Sequence, residues 1–251
     1  MMKIKDNTIL ITGGATGIGF SLAQALVNAG NKVIICGRRE SKLKEAKDKL
    51  PQIQIRVCDM SKEKERESLF KWVEANFKDL NVLINNAGIQ RMVNLKKGAQ
   101  DLFSGEDEIE TNLVAPIHLS AYFIPFLLKK KEAAIINVSS GLGFVPIASM
   151  PVYCATKAAV HSFTVSLRYQ LRDTSIKVFE IVPPAVDTEL DKGTTEEAAQ
   201  EYRGIPPSEV ARAAITAMTN DEYEILVGEA KDLVRRARAN PEQAFLSINQ
   251  W

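Results

Sequence analysis

The sequence predicts an α/β fold in which helices cover both faces of a doubly wound parallel sheet. Two observations lead to this prediction. Short apolar runs typical of buried strands alternate along the chain with longer segments of helical periodicity, and such alternation produces parallel strands. A glycine-rich turn, Gly13–Gly19, separates the first strand from the first helix. The carboxyl ends of the strands are where a sheet of this kind binds its ligands.

The elements follow one another regularly. Strands are predicted at Thr8–Thr12, Lys32–Gly37, Ile53–Cys58, Val82–Asn85, Ala134–Ser139, Lys177–Val182 and Glu224–Val227. Helices are predicted near Ile18–Ala29, Ser41–Leu50, Lys62–Asn76, Glu106–Leu128, Val152–Asp173 and Pro207–Met218. No linker, internal repeat or low-complexity tract interrupts them, so we expect residues 1–251 to form a single domain. A polar stretch, Asp187–Pro206, follows the sixth strand, and we interpret it as a substrate lid.

The composition is that of an ordinary globular protein and argues against several other classes. Hydrophobic residues make up 45% and charged residues 25%, and the net charge of +1 does not favour a nucleic acid or an anionic membrane as partner. The first residues, Met1–Asp6, contain no apolar signal segment, and no apolar run is long enough to span a membrane. Cys36, Cys58 and Cys154 are scattered and lack metal-ligand spacing, so we expect reduced thiols, no metal site and a cytoplasmic location.

Tyr153 and Lys157 form the pair most indicative of catalysis. They are four residues apart, which on a helix places both side chains on one face. A free tyrosine has a pKa near ~10, and a nearby ammonium group lowers it. A tyrosine in that setting can exchange a proton with a carbonyl or alcohol oxygen. The alternative is a pair on a helix surface that has no role.

Three further motifs lie where such a sheet binds ligands. The glycine turn lets backbone amides approach a pyrophosphate, and the helix after it favours an anion at its N-terminus. The segment Asn85–Gly88 follows the fourth strand, and Ser139-Ser140 follows the fifth. Both therefore lie at strand carboxyl ends, on the ligand-binding edge of the predicted sheet.

Taken together, these motifs resemble the classical short-chain dehydrogenase/reductase family. The matching elements, in family order, are Thr12-Gly13-x-x-x-Gly17-Ile18-Gly19, Asp59, Asn85-Asn86-Ala87-Gly88, Asn112, Ser140 and Tyr153-x-x-x-Lys157. The resemblance covers nearly the whole chain and implies a single-domain Rossmann fold with strand order 3-2-1-4-5-6-7. Within the family, Val33–Arg38 and Ile181–Pro184 look like a bacterial branch called DltE-like.

The resemblance implies four catalytic residues. Tyr153 matches the general acid of ketone reduction, and Lys157 matches the lysine that lowers the tyrosine pKa and binds the nicotinamide ribose. Ser140 matches the serine that binds the substrate oxygen, with Ser139 as the second choice. Asn112 matches the asparagine that holds a water near the lysine; the alternative is a helix-interior residue bonded to its own backbone.

The resemblance also implies the cofactor contacts. Asp59 matches the aspartate that holds the adenine amino group, although it could equally cap a helix that begins near Ser61. Pro184 replaces a family glycine, and because proline lacks an amide donor the loop after the sixth strand should be stiffer. The implied cofactor-binding residues are Gly13, Thr16, Gly17, Ile18, Gly19, Arg38, Asp59, Asn86, Ala87, Gly88, Tyr153, Lys157, Pro183, Val186 and Thr188.

The end of the second strand bears on which nicotinamide cofactor is bound. NAD enzymes place an acidic residue there for the ribose 2′-hydroxyl, whereas this chain has Gly37 followed by Arg38 and Arg39. A guanidinium can bind a 2′-phosphate in bidentate fashion, so NADP(H) is favoured over NAD(H). Glu40 lies close enough to oppose that preference.

The sequence thus predicts an NADP-dependent oxidoreductase that interconverts a small-molecule carbonyl and an alcohol. The alternatives are a 3-oxoacyl-thioester reductase and a nucleotide-binding sensor without turnover; the complete catalytic set argues against the sensor. The resemblance implies a homodimer or homotetramer joined through the helices near Glu106–Leu128 and Val152–Asp173. His118 and His161 are interpreted as packing residues, and the basic segment Arg235–Arg238 as a solvated helix face.

Overall fold

A computed structural model describes residues 2–190 and 204–250 of the chain. Its centre is a seven-stranded parallel sheet with strand order β3-β2-β1-β4-β5-β6-β7. The strands are β1 Thr8–Thr12, β2 Lys32–Gly37, β3 Gln54–Val57, β4 Leu80–Asn85, β5 Ala133–Val138, β6 Ile176–Val182 and β7 Glu224–Leu226. The predicted fold class and the implied strand order are confirmed, and each predicted strand lies within two residues of the observed bounds.

The helices lie on both faces of the sheet. They are α1 Gly17–Asn28, α2 Glu40–Lys49, α3 Glu63–Asn76, α4 Ala99–Phe103, α5 Ala115–Leu127, α6 Pro151–Gln170, α7 Pro207–Thr219, α8 Ala230–Ala239 and α9 Pro241–Ile248. Short 3₁₀ turns span Leu95–Lys97 and Gly141–Gly143. The sequence did not predict α4 or α9, which are short and bury few residues, and of α8 it indicated only the basic helical segment Arg235–Arg238.

Burial of the sheet on both sides explains why its inner strands are mainly apolar. All five residues of β1 are buried. Ile9 and Ile11 pack into the core beneath α1 and α7, whereas Leu10 packs into the opposite core beneath α3, α5 and α6. A parallel sheet covered in this way shows continuous hydrophobic runs rather than alternation.

The helix predicted from Glu106 begins later than expected. Asp107 Oδ1 accepts hydrogen bonds from the amides of Ile109 and Glu110, both at 3.0 Å, and this local cap starts the helix. The first turn, Glu110–Val114, is π-helical and leads directly into α5. Turns of this type are often found at functional sites.

Backbone hydrogen bonds join the two described ends of the segment predicted to be a lid. The Asp187 amide donates to the Ile205 carbonyl at 3.0 Å, and the Ile205 amide donates to the Ala185 carbonyl at 3.1 Å. Gly204 has a φ of +70°, and a Cβ there would lie 2.5 Å from the Ala185 backbone, so only glycine fits. Residues 191–203, which carry most of the predicted lid, lie outside the described residues.

Within the described ranges, no helix is both long and apolar enough to cross a lipid bilayer.

Candidate active site

A cleft of about 790 Å³ runs along the carboxyl edge of the sheet. Its walls come from the segments that follow β1 to β6, together with one face of α8 and the end of α9. The residues expected from the sequence that line it are Gly13, Thr16, Gly17, Ile18, Arg38, Asp59, Asn86, Ala87, Gly88, Ser140, Tyr153, Lys157, Pro183, Val186 and Thr188. Gly19 and Asn112 lie behind this lining.

The glycine turn packs too tightly for any other residue. Gly13 has a φ of +63°, and a Cβ there would lie 2.8 Å from the Ala87 Cα. A Cβ on Gly19 would lie 2.3 Å from the Gly13 carbonyl oxygen. Helix α1 starts at Gly17 and has no side-chain cap at Thr16, so amides of its first turn are available to an anion in the cleft.

Hydrogen bonds of the Thr12 and Asn86 side chains connect the ends of β1 and β4. Thr12 Oγ1 accepts hydrogen bonds from the Asn86 and Ala87 amides, each at 3.0 Å. Asn86 Nδ2 donates to the carbonyls of Thr12 and Gly13 at 2.9 and 3.1 Å. The Asn86 side chain therefore shapes the glycine turn, while Ala87 and Gly88 form the adjacent wall of the cleft.

Tyr153 and Lys157 lie one turn apart on α6, and both side chains are buried. The Lys157 Nζ lies 5.7 Å from the centroid of the Tyr153 ring and donates to the Val138 carbonyl at 3.0 Å. Burial lowers the pKa of Lys157 to about 8. Gly88, at the end of β4, is a near neighbour of this ammonium, since a Cβ built on it would lie 3.5 Å from the Lys157 Nζ.

Asn112 is buried in the π-helical turn and bonds across the structure. Its Nδ2 donates to the Ile89 carbonyl at 2.8 Å and to Thr156 Oγ1 at 3.1 Å, and its Oδ1 accepts from the Ile89 amide at 2.8 Å. The alternative of a residue bonded to its own helix backbone is therefore wrong. The side chain fixes the chain after β4 against α6, directly behind Gly88.

The two serines after β5 point to different partners. Ser139 Oγ donates to Glu180 Oε1 at 2.5 Å, which commits its proton inside the protein. Ser140 Oγ accepts from the Leu142 amide at 3.1 Å, and among the described residues no acceptor takes its proton. Ser140 is therefore the serine with a hydroxyl hydrogen to offer to a ligand.

Asp59 is at the opposite end of the cleft. Its Oδ1 accepts from the amide and hydroxyl of Ser61 at 3.0 and 2.9 Å. Since α3 begins at Glu63, Asp59 does not cap that helix, and the capping alternative is wrong. The carboxylate is fixed by the turn and forms part of the cleft wall.

Two arginines after β2 also line this end of the cleft, and each is paired. Arg38 Nη1 lies 2.6 Å from Glu106 Oε1, and Arg39 Nη1 lies 2.7 Å from Glu189 Oε2. A Cβ added to Gly37 would meet open space. There is room for a phosphate beside the arginines, but it must compete with two carboxylates.

The basic segment of α8 is exposed, as expected of a solvated helix face, but its arginines also have specific surroundings. Arg235 pairs with Asp232, and Arg238 Nη2 lies 2.6 Å from Glu224 Oε1, which ties α8 to β7. Arg236 is exposed and also lines the cleft together with Leu233. The spacing of Leu233 and Arg236, which puts both on one face of a helix, is the signal that could have found it.

His161 belongs to a charged cluster that the sequence did not reveal. Its Nδ1 lies 2.8 Å from Oε2 of Glu180, a fully buried residue of β6, and the Glu224 carboxylate lies close to both. The hydrogen bond to Glu180 is the main cause of a raised His161 pKa. A single glutamate inside an apolar strand gives no sign in the sequence of which residues it contacts.

Comparisons with known proteins agree with this geometry. A model of the short chain dehydrogenase family matches residues 7–199. The uncharacterized oxidoreductase DltE of Bacillus subtilis (strain 168) is 48% identical over 248 residues, covering 99% of this chain and 98% of the relative. An uncharacterized oxidoreductase of Staphylococcus saprophyticus is 31% identical over 228 residues, covering 89% and 95%.

Solved structures share the fold. A short chain dehydrogenase of Burkholderia cenocepacia in complex with NADP has a TM-score of 0.81 and 25% identity, covering 98% of this chain and 99% of that one. A short chain dehydrogenase/reductase of Burkholderia phymatum in complex with NAD has a TM-score of 0.83 and 22% identity, covering 100% and 98%. The closed form of a serine dehydrogenase complexed with NADP+ has a TM-score of 0.76 and 30% identity, covering 84% and 89%.

Three findings indicate the same family. They are the match to the family model, the identity to DltE over nearly the full length, and the layout of the cleft. The chain belongs to the short-chain dehydrogenase family of NAD(P)-dependent oxidoreductases, within its DltE-like branch.

Proposed function

We propose that the protein interconverts a carbonyl and an alcohol of a small molecule, with NADP(H) as the preferred cofactor. The observation that carries this is the buried pair Tyr153 and Lys157 on the cleft wall, beside Ser140 with its uncommitted hydroxyl proton. These side chains converge on one end of the cleft from α6 and from the end of β5.

Each of these side chains has a distinct task. In reduction the Tyr153 hydroxyl donates a proton to the substrate oxygen, and in oxidation it takes that proton back. The Lys157 ammonium, held by the Val138 carbonyl, stabilises the phenolate left behind. Ser140 donates a hydrogen bond that orients the substrate oxygen, and Asn112 keeps the wall behind Gly88 in place.

The residues present fit a dinucleotide. The uncapped N-terminus of α1 suits a pyrophosphate, and the open space beside Gly37 suits the adenosine ribose. We expect Asp59 to hold the adenine amino group, and we expect Pro183, Val186 and Thr188, which line the cleft, to border the nicotinamide. When bound, the nicotinamide supplies or accepts the hydride.

The preference for NADP(H) rests on the end of β2. No acidic side chain occupies position 37, and two guanidinium groups lie on the adjacent wall. An arginine binds a phosphate through parallel charge-assisted hydrogen bonds. Glu106 and Glu189 oppose this preference, because each already pairs with one of the arginines.

A second candidate substrate class is small oxo or hydroxy acids. One specific observation favours it: Arg236 places a cation on a part of the cleft wall that carries mainly apolar side chains, together with the acidic Glu229. The apolar side chains are Leu142, Ile147, Met150, Leu190, Leu233 and Ile248. Leu233 of the same helix lies 3.1 Å from a Cβ built on Gly141, the residue after Ser140, so α8 borders the reacting end of the cleft. The neighbour described as a serine dehydrogenase acts on a substrate of that kind.

The 3-oxoacyl-thioester reductase remains the alternative enzyme, and a non-catalytic sensor is disfavoured by the intact set of catalytic side chains. The deciding experiment measures NADPH oxidation against ketones, aldehydes, oxo acids and acyl thioesters. Turnover of carbonyl compounds that is lost in Tyr153→Phe supports the proposal. Cofactor binding without turnover of any of these classes would favour the sensor.

We further infer a homodimer or homotetramer that acts in the cytoplasm. Apolar side chains are exposed around α5 and on α6, among them Ile109, Leu128, Val165 and Tyr169, which supports burial against another copy. All three cysteines are free and buried, which suits a reducing compartment. Light scattering at micromolar concentration tests the assembly, and Val165→Glu should shift it toward a monomer.

A further inference from the structure

Glu180 is a buried carboxylate on β6, the strand next to one edge of the sheet. It has 0% exposure and is paired in register with Asn137 of β5 and Glu224 of β7. A buried charge is costly unless it is paired and hydrogen-bonded. Ser139 Oγ donates to its Oε1 at 2.5 Å, and His161 Nδ1 lies 2.8 Å from its Oε2.

The partners of Glu180 are directly connected to the candidate catalytic residues. His161 follows Lys157 by four residues on α6, so the two lie on one face of the helix. Ser139 stands between Val138, whose carbonyl accepts from Lys157 Nζ at 3.0 Å, and Ser140. One carboxylate therefore connects the strand end that carries Ser140 with the helix that carries Tyr153 and Lys157.

Two other roles for this cluster do not fit its geometry. In a serine hydrolase the imidazole accepts the serine proton, whereas here Ser139 and His161 both bond to Glu180 and not to each other. A metal on His161, Glu180 and Glu224 would have to displace Arg238, whose Nη2 lies 2.6 Å from Glu224 Oε1. A role in packing alone does not explain the cluster either. A protein with a buried apolar side chain is often at least as stable as one with a buried ion pair in the same place.

We propose that Glu180 is a positioning residue that, together with His161, holds Ser139 in place. Through Ser139 it sets the Val138 carbonyl that anchors the Lys157 ammonium, and the orientation of the Ser140 hydroxyl. This role rests on the proposed function for its effect on turnover, but its effect on Lys157 does not depend on any substrate.

The charges around this cluster come from several elements. Glu180 faces His161 and Arg168 of α6, Glu224 of β7 and Arg238 of α8. The pKa of His161 is raised, chiefly by the hydrogen bond that its ring donates to Glu180, and the Phe144 ring covers the imidazole with centroids 4.4 Å apart. The positioning should weaken as pH rises through the raised His161 pKa, because the imidazolium then loses its charge.

Two substitutions test the proposal, one at each side of the hydrogen bond between Ser139 and Glu180. Glu180→Gln keeps the shape and removes the charge, and Ser139→Ala keeps the charge and removes the link to β5. In both, kcat should fall about tenfold to a hundredfold, since small misplacements of catalytic groups have effects of that size. Ser139→Thr, which keeps the hydroxyl, should restore turnover. Glu222→Gln is the control, because this exposed glutamate lies just before β7 and does not belong to the cluster.

Two NMR titrations of the protein without ligand, of His161 and of Lys157, distinguish positioning from a merely structural role. A merely structural role would leave both pKa values unchanged. In Glu180→Gln the pKa of His161 should fall toward its ordinary value. In both Glu180→Gln and Ser139→Ala the pKa of Lys157 should fall further below about 8, because its ammonium loses a well-placed acceptor. An unchanged Lys157 titration in folded Ser139→Ala would overturn the positioning role. If the variants show the expected pKa changes but the wild type turns over no substrate, the proposed function alone would be overturned.

Discussion

Arg38 and Glu106 form an ion pair at the mouth of the cleft, with Nη1 and Oε1 2.6 Å apart. Both side chains are about half exposed, so water screens the pair and its contribution to stability is small. If Arg38 binds a cofactor phosphate, as we propose, that phosphate has to compete with Glu106 for the guanidinium.

We predict that NADPH binds more tightly than NADH and that Glu106→Gln tightens NADPH binding about two- to fivefold, the range of an exposed ion pair. Arg38→Leu should weaken NADPH binding about tenfold or more, since it removes charge-assisted hydrogen bonds. NADH binding should change little in both variants, because it lacks the 2′-phosphate. Fluorescence titration measures all three constants.

Glu40→Gln is the control for the loss of a nearby carboxylate, since Glu40 pairs with Lys44. An equal loss of NADPH and NADH affinity in Arg38→Leu would show that the guanidinium does not bind the 2′-phosphate.

Tyr153→Phe should lower kcat about 10²–10⁴-fold, because it removes the hydroxyl that transfers the proton. Cofactor affinity should stay close to that of the wild type, since the ring and Lys157 remain. Tyr169→Phe, an exposed position on the same helix, serves as the control and should be neutral. Steady-state kinetics together with a cofactor titration check both statements, and a kcat near wild type in Tyr153→Phe would refute the assignment.

The lowered pKa of Lys157 predicts a dependence of stability on pH. In the folded protein the group titrates near pH 8, and in the unfolded chain near ~10.4. Between these values the unfolded state binds more protons, so this group makes the free energy of unfolding rise with pH. The rise should be about 3 kcal/mol over that window.

The Lys157→Met variant isolates that effect, because methionine has a similar shape and does not titrate. Urea unfolding of both proteins at pH 7.5, 9 and 10 should show the stability of the wild type gaining on that of the variant as pH increases. A constant difference across that range would mean that the lysine titrates normally in the folded state.

Arg236→Met should reduce kcat/KM for oxo acids about tenfold or more while sparing the corresponding methyl esters, because only the acid offers a carboxylate to the guanidinium. Arg235→Met is the matched control, since Arg235 pairs with Asp232 on the outside of the same helix. If acid and ester lose turnover equally in Arg236→Met, the arginine shapes the wall and does not bind an anion.

Local spacing explains what could be predicted from the sequence. The glycine turn and the pair Tyr153 and Lys157 depend on residues a few positions apart, and the structure places both on the cleft as expected. The strand order came from the resemblance, since hydrophobic periodicity identifies strands without saying which of them are neighbours.

Long-range partners explain what could not be predicted. Glu180 meets Ser139, which is 41 positions earlier in the chain, and Arg38 meets Glu106 across the cleft. Helix α8 buries only Ala230 and Val234, and although the spacing of Leu233 and Arg236 places both on one helix face, it does not say that this face borders the cleft. In each case the deciding contact depends on the tertiary arrangement.

The backbone hydrogen bonds between Ile205 and the chain at Ala185 and Asp187 close a loop at its base. Loop-closure entropy grows slowly, with each doubling of length costing only about 0.6 kcal/mol. A segment of different length between these two anchor points would therefore change the closure entropy by little. This makes the junction a natural splice point for exchanging the segment between family members.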